Sequence, residues 1–131
     1  MIGLDTNVLV RYIVQDDVAQ SAAAVRVIES LSSESPGFIP LVVIAELVWV
    51  LQFSYESDKQ EISIVLERLL RSAELIVERA DIVEQALRAY RASRADFADC
   101  LIERCANAAG CKHTLTFDRR AASLTGMHLV Q

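Results

Sequence analysis

Residues Val42 to Phe53 are apolar nearly all the way round a helix, and one glutamate, Glu46, interrupts them. That pattern marks a helix buried on every side. A chain containing one must build other elements around it. Mid-helix, Glu46 has no cap to form, and an ionised carboxylate without a partner is very costly in apolar surroundings. Two partners are open to it: an arginine, with Arg11 the candidate, or a shared metal ion.

The flanking segments suggest what surrounds this helix. Ile2 to Leu4 reads as a short buried strand, followed by helices from about Thr6 to Val14 and from about Val18 to Leu31. Ser32 to Gly37 is a loop, and Phe38 and Ile39 form a second strand that ends at Pro40. Asp58 with Glu61 has the spacing of a capping box, as does Asp81 with Glu84. The first opens a helix whose inward face is Ile62, Val65, Leu66, Leu69 and Leu70. The second opens one facing inward through Ile82, Val83, Ala86, Leu87 and Tyr90. Leu75 to Val77 lies between them as a strand. A further helix begins at Asp96 and stops at Gly110. Thr114 to Phe117, Asp118 to Leu124 and Met127 to Val130 then read as strand, short helix and strand. Short apolar strands alternating with helices give an α/β fold with a parallel sheet.

Length and charge narrow the function. The 131 residues fit one domain, 1–131, and their apolar content of 53% argues against disorder. Three cysteines without a C-x-x-C pair argue against a zinc site or a disulfide framework, and favour reduced thiols in a cytoplasmic protein. No signal peptide or membrane span is legible. His113 and His128 read as core or surface residues rather than metal ligands. A net charge of −5 argues against a protein that grips nucleic acid by bulk positive charge. It does not exclude a nuclease, because a catalytic carboxylate cluster counts as negative until metal binds it.

The acids lie where such a site belongs. Open α/β sheets bind ligands beyond the carboxyl ends of their strands. Asp5 follows the first strand, Asp118 follows Thr114 to Phe117, and Asp99 lies in the first turn of its helix. Taken singly, Asp5, Asp96 and Asp118 are equally readable as N-caps, and Asp99 as the acidic partner of Asp96. Taken together, converging carboxylates would repel one another, and a hard divalent cation would relieve this. Oxygen ligands favour Mg²⁺ or Mn²⁺ over zinc.

Four motifs in this order resemble the PIN-domain family: Asp5-Thr6-Asn7, Glu46 within Ile-Ala-Glu-Leu, Asp96-Phe-Ala-Asp99-Cys-Leu-Ile, and Thr116-Phe117-Asp118. The resemblance covers essentially the whole chain and looks most like the VapC toxins of bacterial and archaeal toxin–antitoxin pairs. It implies an α/β/α sandwich with a central parallel sheet and an RNA endonuclease activity. Asp5, Glu46, Asp99 and Asp118 would hold Mg²⁺ or Mn²⁺. Asp96 would assist through a water or only cap its helix. Asn7 and Thr116 would orient carboxylates from behind. It also implies a homodimer and an antitoxin partner. Glu103, one turn after Asp99, stands where many relatives carry a small residue; pairing with an arginine is its ordinary role. Arg88, Arg91, Arg94 and Arg119 are candidates for the RNA track, because guanidinium forks suit phosphate; a solvated helix face is the alternative.

Other readings fit less well. A receiver domain needs a late-strand lysine, and a haloacid-dehalogenase-type phosphatase needs D-x-D where this chain has Asp5-Thr6-Asn7. The stronger rival is a catalytically inactive PIN-like interaction module. Loss of a core acid would mark it, and all four acids are present.

Overall fold

The computed structural model describes Met1 to Gln131, and its backbone divides into two compact units, Met1–Glu78 and Arg79–Gln131. The first contains β1 (Ile2–Gly3), α1 (Thr6–Val14), α2 (Val18–Glu29), β2 (Gly37–Ile39), α3 (Leu41–Ser54), α4 (Lys59–Arg71) and β3 (Leu75–Val77). The second contains α5 (Ala80–Ala92), α6 (Phe97–Ala108), β4 (Leu115–Thr116), α7 (Arg119–Thr125) and β5 (His128–Leu129). This is the α/β class expected, and every strand pairing is parallel.

In the first unit the sheet order is β1-β2-β3, with Ile2 opposite Gly37 and Gly37 opposite Leu75. Parallel neighbours need a long crossover. The helix pairs α1–α2 and α3–α4 supply the two. Bonds beyond the strands extend the ladder, from Leu4 N–H to the Phe38 carbonyl at 2.8 Å and from Glu78 N–H to the Ile39 carbonyl at 2.9 Å. Leu9, Ile39, Ile44, Leu47, Ile62 and Leu66 are almost wholly buried and form the centre of this core.

Helix α3 departs from expectation. Val43, Ile44, Leu47, Val48 and Leu51 are buried, but Val42, Trp49 and Phe53 remain 73%, 59% and 63% exposed, and Glu46 is exposed among them. The helix is apolar all round yet covered on only one side. Composition cannot reveal this, because a sequence without polar contrast does not say which face meets the core. The start of α3 is also completed from a distance. Its N-cap, Pro40, has no side-chain cap bond, and the Leu41 N–H donates instead to Glu78 Oε1 at 2.7 Å, from beyond the end of β3.

Of the two expected capping boxes, one forms. Asp58 accepts from the Glu61 N–H at 2.8 Å, and Glu61 accepts from the Asp58 N–H at 3.2 Å. The second does not: α5 begins earlier, with Arg79 as N-cap in the left-handed region at φ 50°. Asp81 lies in the first turn and pairs with Arg79 at 3.1 Å. An acid near the positive helix terminus is favourable without being the cap.

In the second unit α5 packs against α6 through Val83, Ala86, Leu87 and Tyr90 on one side and Phe97, Cys100 and Leu101 on the other. Tyr90 and Phe97 meet edge to face at 5.6 Å, a favoured aromatic geometry. Gly110, the expected helix stop, adopts φ 93° just past Ala109, the C-cap of α6. β4 and β5 pair with Leu115 opposite His128.

Asp58→Ala removes the capping-box acceptor, so the variant should be less stable by about 1 kcal/mol. Urea unfolding followed by circular dichroism measures this.

Candidate active site

Two strand-to-helix junctions carry aspartates, one in each unit. Asp5 follows β1 and is the N-cap of α1; its Oδ1 accepts from the Thr6 N–H at 2.7 Å. Asp118 follows β4 and is the N-cap of α7; its Oδ1 accepts from the Arg120 and Ala121 N–H groups at 2.8 and 3.1 Å. Both are therefore true caps. At both positions the backbone contacts engage one carboxylate oxygen, Oδ1. The structural and chemical readings coexist at these two positions.

In the first unit the hydroxyl of Thr6, itself buried, donates a short hydrogen bond to Glu46 Oε1. This contact is with neither an arginine nor another acid. Arg11 is not among its ionic contacts; it pairs with Asp16 at 2.9 Å. Nor is Glu46 immersed in apolar side chains, because it lies on the exposed side of α3. Thr6 is the contact of Glu46 that the sequence does not announce, whereas its neighbour Asn7 stands in the motif. The available clue was its place between Asp5 and Asn7, where a buried hydroxyl needs a partner. Asp5, Thr6, Asn7 and Glu46 line one cleft of about 500 Å³ with Arg11 and Tyr55.

In the second unit Asp99 is half-buried in the first turn of α6. Burial and the negative charges of Asp96 and Asp118 push its carboxyl above the usual carboxylate range. Asp96 is the N-cap of α6 by position but makes no side-chain cap bond. Its carboxylate instead bears on Asp99 electrostatically. Thr116 supports Asp118 through the main chain, its Oγ1 accepting from the Asp118 N–H at 3.0 Å.

Other expected residues divide. Glu103 forms a two-point ion pair with Arg104, at 2.6 and 3.0 Å, the ordinary role anticipated for it. Arg88, Arg91, Arg94 and Arg119 are exposed. Arg120, beside Arg119, reaches from α7 to the Arg94 carbonyl at 2.6 Å. His113 and His128 stack face to face at 4.5 Å, both exposed. The three cysteines form no disulfide.

The donors suit a hard divalent cation, since all are carboxylate oxygens and the charges at Asp99 already oppose one another. As the side chains stand, no three His, Cys, Asp or Glu residues are drawn close enough to hold a metal ion.

The comparisons with known proteins agree with these motifs. The PIN-domain family model matches residues 2–126, and the chain belongs to the PIN-domain family. It is 30% identical over 122 residues to a VapC ribonuclease of Aquifex aeolicus (strain VF5), covering 92% of this chain and 90% of that relative.

A carboxyl with a raised folded-state pKa binds its proton more readily folded than unfolded. Its ionisation therefore costs stability, and the cost grows as pH rises through the folded pKa. Asp99→Asn removes this cost. The variant should melt higher than the wild type at pH 7, and the difference should shrink as pH falls through the carboxylate range. Thermal melts across pH measure it; a lower melting temperature at pH 7 would contradict the repulsion.

Proposed function

We propose that the chain, acting as a single PIN-like nuclease domain, is a metal-dependent endoribonuclease and the toxin of a toxin–antitoxin pair. The observation that carries this reading is the opposed charge at Asp99, Asp96 and Asp118. A carboxyl raised by burial and by like charges is a functional-site candidate, and no salt bridge reaches Asp99 or the two aspartates beside it. The similarity to a VapC ribonuclease supplies the reaction class.

Asp5, Glu46, Asp99 and Asp118 are the catalytic acids in this reading. With Asp96 they would supply the oxygen ligands of Mg²⁺ or Mn²⁺. When bound, such an ion makes an attacking water more acidic and stabilises charge on the leaving oxygen. The protein's own part is orientation. Backbone N–H groups fix one oxygen each of Asp5 and Asp118, and Thr6 fixes one oxygen of Glu46. Their remaining oxygens then meet ligands without first losing rotamer freedom. Asn7 and Thr116 support the same residues, and Arg88, Arg91, Arg94 and Arg119 contact RNA phosphates. The resemblance to VapC-type toxins also gives a second copy of this chain and an antitoxin as partners. The exposed pair Trp49 and Phe53, with rings 5.3 Å apart, offers apolar surface for such an interface. No helix is long and apolar enough to cross a membrane; the cytoplasm is the location that fits an RNA substrate.

The exposed apolar side of α3 also favours the rival reading, an inactive PIN-like interaction module. Activity separates the two. Purified protein with Mn²⁺ should cleave single-stranded RNA, chelation should abolish cleavage, and Asp5→Asn, Asp99→Asn or Asp118→Asn should each slow it on the order of 100-fold or more. Mn²⁺ at a hundredfold excess over its dissociation constant should stabilise the wild type by about 2.7 kcal/mol, with a smaller response from the variants. A protein that neither cleaves RNA nor responds to Mn²⁺ is the interaction module.

Thr6 has its own signature. Thr6→Val preserves shape but leaves Glu46 unheld, and should lower the cleavage rate by about 10–100-fold. Thr6→Ser restores the hydroxyl and most of the rate. Equal rates in all three proteins would show that the hydrogen bond plays no part in cleavage.

A further inference from the structure

The cleft that holds Asp5 and Glu46 is lined by a single cation, Arg11. Its guanidinium is held at several points. Nε donates to Gln20 Oε1 at 2.7 Å, and Nη1 reaches Asp16 Oδ1 at 2.9 Å and the Tyr55 hydroxyl at 3.3 Å. Tyr55 in turn donates to the second oxygen of Asp16 at 2.9 Å. Three segments therefore converge on one side chain: the loop after α1, helix α2, and Tyr55, the C-cap of α3. Burial opposes the Arg11 charge, but Asp16 and Tyr55 outweigh it and raise its pKa, so Arg11 stays cationic. Asp16 is correspondingly lowered, first by the Tyr55 hydroxyl and also by Arg11.

A guanidinium has five N–H donors. The contacts above engage Nε and Nη1; none of them uses the two donors on Nη2. A fork fixed in this way meets a phosphate with little further loss of side-chain entropy. Arg11 also lies on a ridge. Asn7 and Arg11, one turn apart on α1, line both this cleft and an adjoining one of about 460 Å³, whose other walls include Val8, Ala24 and Val27. A ridge with one polar and one more apolar flank suits a backbone that crosses it with bases to either side.

We propose that Arg11, presented by Tyr55 and Asp16, is a phosphate-binding residue for single-stranded RNA in the cleft of Asp5 and Glu46. The proposal rests on the ribonuclease reading and adds a substrate contact in the first unit. Asp16 is both the holder of Arg11 and its competing anion. A clamp that only joins α1 to α3 would not respond to RNA.

The test is fluorescence anisotropy with a short labelled 2′-O-methyl single-stranded RNA, in Mn²⁺, across a salt series. Arg11→Gln should bind about tenfold more weakly, and its logarithmic salt dependence should fall by roughly 0.7, the value for one phosphate contact on a single strand. Asp16→Asn removes the competing charge and should bind RNA more tightly than the wild type, even while lowering the melting temperature. A folded Arg11→Gln variant with unchanged affinity and salt dependence overturns the inference while leaving the ribonuclease reading intact. If Arg11→Gln does not fold, Asp16→Asn decides: tighter binding supports the inference, and equal or weaker binding overturns it. A wild type that binds no RNA overturns both the inference and the reading beneath it.

Discussion

A parallel strand that runs into a helix leaves free N–H groups at the junction, and this chain answers them twice with aspartate. At Asp5 and at Asp118 a carboxylate that follows a strand also caps a helix. Helix starts require acceptors; α/β sheets bind ligands at this end of their strands. Both requirements fall on one residue type at one position. That economy anchors the candidate chemistry to the most rigid local feature available, and the remaining acids depend on it. Asp99 is perturbed partly because Asp118 is fixed nearby, and Glu46 is held by Thr6, the first residue of the helix that Asp5 caps.

The two units use different means to hold their acids. In the second, Asp99 is opposed by burial and by like charge, which raise its carboxyl. In the first, Glu46 is exposed and held by a single hydroxyl, so its position costs little. The same unit carries a network of opposite charges around Arg11, which keeps a cation beside two carboxylates without pairing it to either. Asp16 and Tyr55 are the groups that engage the guanidinium.

Much of the fold was legible in local pattern. Helix α1, strand β3 and the Asp58–Glu61 box follow from spacing and capping chemistry, which act within a few residues. Asp81 misled because the capping-box spacing looks the same whether the acid caps the helix or lies just inside its first turn. There, Arg79 in a left-handed conformation begins the helix instead. Of the site, Asp5, Glu46, Asp99 and Asp118 were nominated from sequence. Thr6 was missed, since its role depends on a residue 40 positions away. Arg11 was noticed for the wrong partner: its ion pair with Asp16 is local, but its link to Tyr55 spans 44 positions.

Sequence alone determined the alternation of strands and helices, the capping aspartates and the four acidic motifs, because periodicity and capping are properties of neighbouring residues. The tertiary structure decided which side of α3 faces solvent, that Glu78 completes the start of that helix, and that Thr6 rather than Arg11 holds Glu46. It also decided that Asp96 spends its charge on Asp99 rather than on a cap. Each of these depends on where a crossover returns the chain or on how two helices are rotated against each other. Both are set by the packing of the whole core, which no short window of sequence encodes.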